Sequence, residues 1–285
     1  MPELPEVETV VRGLRETVAG RTIKRVTLNA PPSSTFVSDR LKPRSFEQQL
    51  AGRTIEAIDR RGKNILIRLS DDLTLWGHLK MTGHFFWLPE DEPVGKHDLA
   101  IFDFDWSQAR REPRRTLRFN DYRRFGRLRL FRTHELGEQA GLANLGPEPL
   151  ETTPDDFIVL CRRRPRMIKP ALLDQSFIAG IGNIYADESL WAARIHPKRL
   201  TTSIAPRKLR ELHGHIQRLL KKSIRLMGTS VDSYSGVNGQ PGQFQKYLLA
   251  YSREGELCSR CGKSEIVREK IGSRSAHFCR RCQRM

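Results

Sequence analysis

Asn144-Leu145-Gly146-Pro147-Glu148-Pro149-Leu150-Glu151-Thr152-Thr153-Pro154-Asp155-Asp156 separates two kinds of sequence. Upstream, between residues 22 and 132, short alternating runs at 54–58, 64–69, 73–79 and 128–131 are divided by Gly, Pro and Asp. That period-2 pattern predicts an antiparallel sandwich or barrel-like domain. Downstream, apolar residues recur at helical spacing as far as about Met227. The expected fold is α+β in two domains: an N-terminal β-sandwich with one leading helix over 1–143, a linker over 144–156, and a helical domain over 157–254. A separate cysteine-bearing segment closes the chain at 255–285. Within the helical domain, Gly180 to Glu188 introduces one helix, His196-Pro197 ends it, and another follows near 204–227. The four glycines of 228–245 predict a loop.

Charge narrows the function. Fifty Lys+Arg against 33 Asp+Glu give a formal net charge of +17 and a pI near 10.2, so a polyanion is the expected partner. Residues 106–134 carry ten arginines and only Glu112 and Asp121 as acids, and further Arg-rich runs occupy 162–169 and the stretch from Arg253 to the C-terminus. A solvated Arg-rich surface is the plain alternative for any one of them. A mean hydropathy of −0.53, the lack of an apolar run near twenty residues and an acidic, proline-containing start argue against a membrane span or signal peptide. A soluble, cytoplasmic, nucleic-acid-binding protein is expected.

Cys258-x2-Cys261-x17-Cys279-x2-Cys282 has the spacing of a four-thiolate zinc site, each close pair offering two ligands to one tetrahedral ion. One structural Zn2+ is expected. The fifth cysteine, Cys161, lies in an apolar run and reads as a buried structural residue. Between the pairs, Gly272-Ser273-Arg274-Ser275 suggests a hairpin tip carrying one arginine.

The leading helix begins at the extreme N-terminus: Pro5 suits a first turn, Glu6 and Glu8 favour its positive end, and Val7, Val10, Val11, Leu14 and Val18 share a face. The start Met1-Pro2-Glu3-Leu4-Pro5-Glu6-Val7-Glu8-Thr9, the segment Gly180-Ile181-Gly182-Asn183-Ile184-Tyr185-Ala186-Asp187-Glu188 and the four-cysteine finger together resemble the bacterial formamidopyrimidine-DNA glycosylases. Arg60-Arg61-Gly62-Lys63, Gly77-His78-Leu79-Lys80-Met81-Thr82-Gly83 and Asn120-Asp121-Tyr122-Arg123-Arg124-Phe125-Gly126 look like that family's signatures in the same order, so the resemblance spans nearly the whole chain.

The resemblance implies a base-excision-repair enzyme, with a helix–two-turn–helix in the second domain, that acts on damaged double-stranded DNA as a monomer in the bacterial cytoplasm and nucleoid. It removes oxidised purines (8-oxoguanine and formamidopyrimidines), then cuts the abasic strand by β,δ-elimination. Pro2 becomes the nucleophile once Met1 is removed; an α-amino group titrates at about 7.7–8.0 and so has a useful neutral fraction. Glu3 is the expected proton shuttle, Lys63 a catalytic-site cation, and Glu6 and Glu188 supporting carboxylates. Lys63, Asn183, Tyr185 and Arg274 are expected on phosphates, although Lys63 as a loop lysine and Tyr185 as core filling are the bland alternatives. Met81, Arg123 and Phe125 match the family's wedge, which fills the space left by an extruded base. Arg123 and Phe125 would share one face of a strand.

Lesion reading is expected in the loop around 230–245, where backbone groups suffice: 8-oxoguanine turns the N7 acceptor of guanine into an N–H donor, which one carbonyl can detect. Gly239 to Phe244 looks like the purine-directed branch, and Lys169 resembles a residue that reaches the lesion; 231–238 match no pattern. Two rivals stand beside this reading. An endonuclease VIII-like enzyme would share nucleophile, helix pair and finger but prefer oxidised pyrimidines. A noncatalytic DNA-binding protein would need only the basic faces and the zinc ribbon.

Overall fold

The computed structural model describes residues 1–30, 36–37, 43–107, 113–139, 141–230 and 235–285. The chain divides into two units, Met1–Ala143 with Met227–Gly242, and Asn144–Leu226 with Gln243–Met285.

The first unit starts with α1 (Leu4–Val18), whose Val7, Val10, Val11, Leu14 and Val18 are all buried. Strands β1 (Ile23–Leu28), β2 (Ile55–Arg61), β3 (Asn64–Leu69), β4 (Leu73–His78), β5 (His84–Pro89), β6 (Asp98–Phe104), β7 (Arg115–Asn120) and β8 (Arg127–Arg132) form two antiparallel four-stranded sheets, ordered β1-β6-β7-β5 and β2-β3-β4-β8. Alternate residues of both sheets meet in one core: Ile65, Ile67, Leu75 and Leu128 from one, Phe85, Phe102, Leu117 and Phe119 from the other. This is the expected sandwich. A second helix, α2 (Pro43–Leu50), joins α1 in this unit and buries Phe46 and Leu50, four residues apart, in the same core.

Met227–Gly242, expected within the helical domain, belongs to the first unit for an identifiable reason. Val237 is buried in the sandwich core, lies against Gly13 of α1, and accepts a hydrogen bond at its carbonyl from Trp87 N–H on edge strand β5.

In the second unit, α3 (Pro154–Arg162), α4 (Ile168–Leu173), α5 (Asn183–Ala193) and α6 (Pro206–Arg225) are followed by the hairpin β9 (Ile266–Ile271) and β10 (Arg274–Cys279). Leu209, Leu212, Ile216 and Leu220 give α6 its buried stripe. Arg194, in the left-handed region with φ 58°, ends α5, and a 3-10 turn at Thr201–Ser203 precedes α6. Residues 144–156 are bonded into this unit rather than free of it: Gly146 N–H donates to Gln175 O, Ala179 N–H to Pro147 O, and Gln217 to Pro149 O. Cys161 is fully buried on α3, and burial pushes its thiol up to about 12. Among the described residues no helix is long and apolar enough to cross a membrane.

Candidate active site and nucleic-acid interface

In the first unit, the chain enters α1 through Pro2 and Glu3, both buried, with Met1 46% exposed beyond them. Glu3 is the N-cap, and Glu3 and Glu6 form a reciprocal capping box that satisfies the first free amides of the helix. Glu6 does more than cap. One carboxylate oxygen accepts Glu3 N–H at 2.8 Å and the other accepts Thr229 N–H at 2.8 Å, so the helix start and the beginning of the glycine-rich loop share one anion.

The described parts of that loop close on themselves. Gly242 N–H donates to Ser230 Oγ and Gly236 N–H to Gln240 O, while Ser235 bridges Pro241. Gly242 lies so close to the Gly228 carbonyl that a Cβ would overlap it. Residues 231–234, part of the expected lesion-reading loop, lie outside the described residues.

Lys63 occupies the two-residue turn between β2 and β3, beside Gly62 in the left-handed region, and is 6% exposed. The sandwich places it within electrostatic reach of His78. Burial first, then the Lys80 and Lys63 ammonium groups, pushes the His78 imidazole down from 6.5 to about 3, leaving it neutral at physiological pH, and its Nδ1 accepts Lys80 N–H. Lys80 itself is lowered by burial and then by Arg127 and Arg129. His78 therefore belongs to a cationic cluster around Lys63. Its presence in the quoted Gly77–Gly83 stretch was the available signal.

Met81, Arg123 and Phe125 come together at the surface of this unit. Arg123 Nη1 lies 3.4 Å from Met81 Sδ, and its guanidinium carbon sits 4.7 Å from the centre of the Phe125 ring. Met81 and Phe125 are 44% and 45% exposed, far more than their side-chain types favour in a monomer. The expectation that Arg123 and Phe125 alternate along a strand is corrected. They lie in the turn between β7 and β8, which reverses at Arg124 with φ 58°, and the turn itself brings them to one side. Arg118 also departs from the solvated-arginine pattern. It is 2% exposed, paired with Asp98 at 3.2 Å and bonded to the Glu92 and Pro93 carbonyls.

The second unit carries a separate polar cavity of about 400 Å3, whose lining includes Asn183, Tyr251, Arg268, Arg274 and His277. Asn183 opens α5, where the positive end of the helix dipole favours an anion. Its side-chain Oδ1 is buried and has no hydrogen-bond partner among the described residues; half a turn of the carboxamide would present the NH2 group instead. Arg274 is exposed at the start of β10, next to the Gly272-Ser273 turn. These two expected phosphate contacts share the cavity. Tyr185 is not among the lining residues: it is 1% exposed and its hydroxyl is bonded to Ser223 Oγ at 2.6 Å. Tyr251 is the tyrosine at the cavity, and nothing in its sequence neighbourhood singled it out.

Lys169 and Glu188 also lie in the interior of this unit. Lys169, expected to reach a damaged base, is fully buried with its ammonium on Asp187 Oδ1 and the Ser275 carbonyl, both at 2.5 Å. Asp187 Oδ2 receives His277 N–H at 2.9 Å and lies 3.0 Å from His277 Nδ1, so one carboxylate joins α4, α5 and the terminal hairpin. Glu188, expected near the terminal amine, accepts the backbone N–H groups of Leu249, Ala250 and Tyr251 at 2.8–3.0 Å. Burial raises its carboxyl above the ordinary range, against the lowering by those amides.

Cys258, Cys261, Cys279 and Cys282 place their sulfurs within 4.8 Å of one another, with Sγ···Sγ distances of 4.0 Å (258–282) and 3.8 Å (261–279). A tetrahedral ion with Zn–S bonds of about 2.3 Å requires sulfur–sulfur edges of about 3.8 Å. The donor set fits one structural zinc, held at the foot of the hairpin that carries Arg274.

Three family models match the chain: the formamidopyrimidine-DNA glycosylase N-terminal domain over residues 1–128, the formamidopyrimidine-DNA glycosylase H2TH domain over 145–235, and the zinc finger found in FPG and IleRS over 255–284. A formamidopyrimidine-DNA glycosylase of Ligilactobacillus salivarius is 42% identical over 285 residues, covering 99% of each chain, and one of Lactiplantibacillus plantarum is 44% identical over 287 residues, covering 100% of each. The structure of Lactococcus lactis Fpg in complex with abasic-site DNA superposes with a TM-score of 0.88 at 35% identity, over 99% of this chain and 100% of that one. The wild-type Lactococcus lactis Fpg bound to N7-benzyl-Fapy-dG DNA gives 0.88 at 35%, over 100% of both.

Proposed function

We propose, from the premise that this chain belongs to the formamidopyrimidine-DNA glycosylase family and is a DNA glycosylase of base-excision repair, that it excises oxidised purines through its N-terminal proline and then cleaves the strand. The observation that carries this reading is the construction of the α1 start. Pro2 and Glu3 are buried together at the first turn, with the Glu3 amide fixed by Glu6.

After removal of Met1, the neutral Pro2 amine attacks C1′ of the damaged nucleotide and the base leaves with the C1′–N9 electron pair and a proton. Protonation of the ring oxygen opens the sugar to an iminium, with Glu3 as the group that delivers and later removes protons. The iminium acidifies C2′, so loss of that proton expels the 3′-phosphate, and a further elimination expels the 5′-phosphate. Lys63, with the neutral His78 beside it, contributes positive potential where phosphate charge accumulates. Met81, Arg123 and Phe125 fill the gap left by the extruded base. Asn183, Arg274 and Tyr251 bind backbone phosphate in the second unit, and Lys169, Tyr185 and Glu188 hold that unit's interior. The protein acts as a cytoplasmic monomer on the DNA of the nucleoid.

The test is borohydride trapping on a duplex with one 8-oxoguanine opposite cytosine, the adduct mapped by mass spectrometry, with undamaged duplex and Pro2→Gly as controls. A lesion-dependent adduct on Pro2 is expected. Adducts only with thymine-glycol duplex would move the enzyme to the pyrimidine branch. No adduct with either lesion or with abasic DNA would leave a noncatalytic DNA binder.

A further inference from the structure

We propose that Asp121 is the positioning residue of the wedge: its buried carboxylate fixes Met81, Arg123 and Phe125 in one arrangement, and extrusion of a paired base depends on it. The inference rests on the wedge reading of those three side chains.

Asp121 is fully buried at the end of β7, directly beneath the turn that carries Arg123 and Phe125. Its Oδ1 accepts Arg123 N–H at 3.1 Å and Oδ2 accepts Gly126 N–H at 2.6 Å, so one carboxylate closes the turn at both ends. The backbone of Asp121 is held too, its N–H donating to His97 O and its carbonyl accepting Arg124 N–H. The turn needs this support because Arg124 occupies the left-handed region, unfavourable for a residue with a Cβ.

The same Oδ1 accepts the hydroxyl of Thr82, the residue after Met81. Two loops distant in sequence therefore meet on one anion. They also meet on one ring: a Cβ at Gly83 would stand 2.8 Å from Phe119, and one at Gly126 2.6 Å from it. Phe119 sets how near the loops approach and Asp121 sets their register, and the Arg123–Met81 and Arg123–Phe125 contacts follow. The two apolar side chains are thereby kept in solvent, ready to enter a base stack without first being ordered.

Asparagine is the informative replacement because it keeps size and one acceptor. Its NH2 group must face either Gly126 N–H or Arg123 N–H, setting donor against donor in both orientations. With Asp121→Asn, kcat/KM for excision of 8-oxoguanine from a fully paired duplex is expected to fall about tenfold or more, while strand cleavage at a preformed abasic site, where no base is extruded, stays within about twofold. Thr82→Val, which cuts only the link between the loops, is expected to give the same pattern at smaller amplitude and remains informative if Asp121→Asn folds poorly. In a Met81→Ala background the Asp121→Asn loss should shrink, since both act through one wedge. Equal losses on paired and abasic substrates, full additivity with Met81→Ala, or undiminished excision would each overturn the proposal. If Met81→Ala alone leaves paired-duplex excision unchanged, it is the wedge reading that fails.

Discussion

Asp121 in the first unit and Asp187 in the second are both buried carboxylates that gather segments far apart in sequence, yet they do so with partners of different charge. Asp121 receives two backbone amides and a hydroxyl, all neutral donors at the edge of an exposed turn. Asp187 receives an ammonium, a backbone amide and an imidazole nitrogen in the interior. The difference teaches that similar residues at similar burial fix geometry in one place and balance charge in another. Loss of Asp121 leaves neutral donors without an acceptor; loss of Asp187 leaves a buried lysine with no counter-ion.

The largest expected effect tests that distinction directly. Asp187→Ala should cost about 3–5 kcal/mol of stability, the usual penalty for stranding one member of a buried ion pair, against about 1–3 kcal/mol for Asp121→Ala, both read by denaturant unfolding. Equal costs would break the comparison. Joint replacement by Asp187→Leu and Lys169→Met should return most of the loss, because no unpaired charge then remains; no comparable rescue partner exists for Asp121, whose partners are largely backbone.

A smaller effect distinguishes the first unit in acid. The folded-state pKa of His78 lies near 3 against 6.5 for the free side chain, so between those values the unfolded chain binds the proton that the folded chain refuses. Its contribution to stability is present above pH 6.5 and is lost as pH falls toward 3. His78→Gln should flatten the pH dependence of unfolding over that window by up to about one proton; an unchanged slope would show that the imidazole is not held neutral. The smallest effect concerns Cys161, whose thiol burial lifts to about 12. Iodoacetamide applied to the native, zinc-loaded protein at pH 8 should leave it unmodified, and alkylation without unfolding would contradict its place in the α3 core.

What was legible in the sequence followed from local chemistry. The cysteine spacing announced a closed four-sulfur cluster, and the alternating runs up to Arg132 announced a sandwich, because each needs only a short window to declare itself. Asn183 and Arg274 were legible as residue types suited to phosphate, and the structure places both at one cavity. At Tyr185, Lys169 and Glu188 the interior partners were hidden from the sequence for one shared reason. A tyrosine, lysine or glutamate looks functional when its partners are unknown, and those partners, Ser223, Asp187 with Ser275, and the amides of 249–251, lie 18 to 106 residues away. Tyr251 was overlooked for the converse reason, since its significance lies in the cavity it lines. Arg123 and Phe125 meet as expected, but through a left-handed turn that periodicity could not reveal.

The discontinuous make-up of the first unit bears on how the protein is made. Its last sandwich strand ends at Arg132, but Val237, which completes the core beside Gly13, and Thr229, which takes up the second oxygen of Glu6, come only after most of the helical unit has been synthesised. A ribosome moving from N- to C-terminus releases the sandwich roughly a hundred residues before its final pieces emerge. The domain that begins first is finished late, and the nascent sandwich must wait with its β5 edge open at Trp87 while four helices are translated.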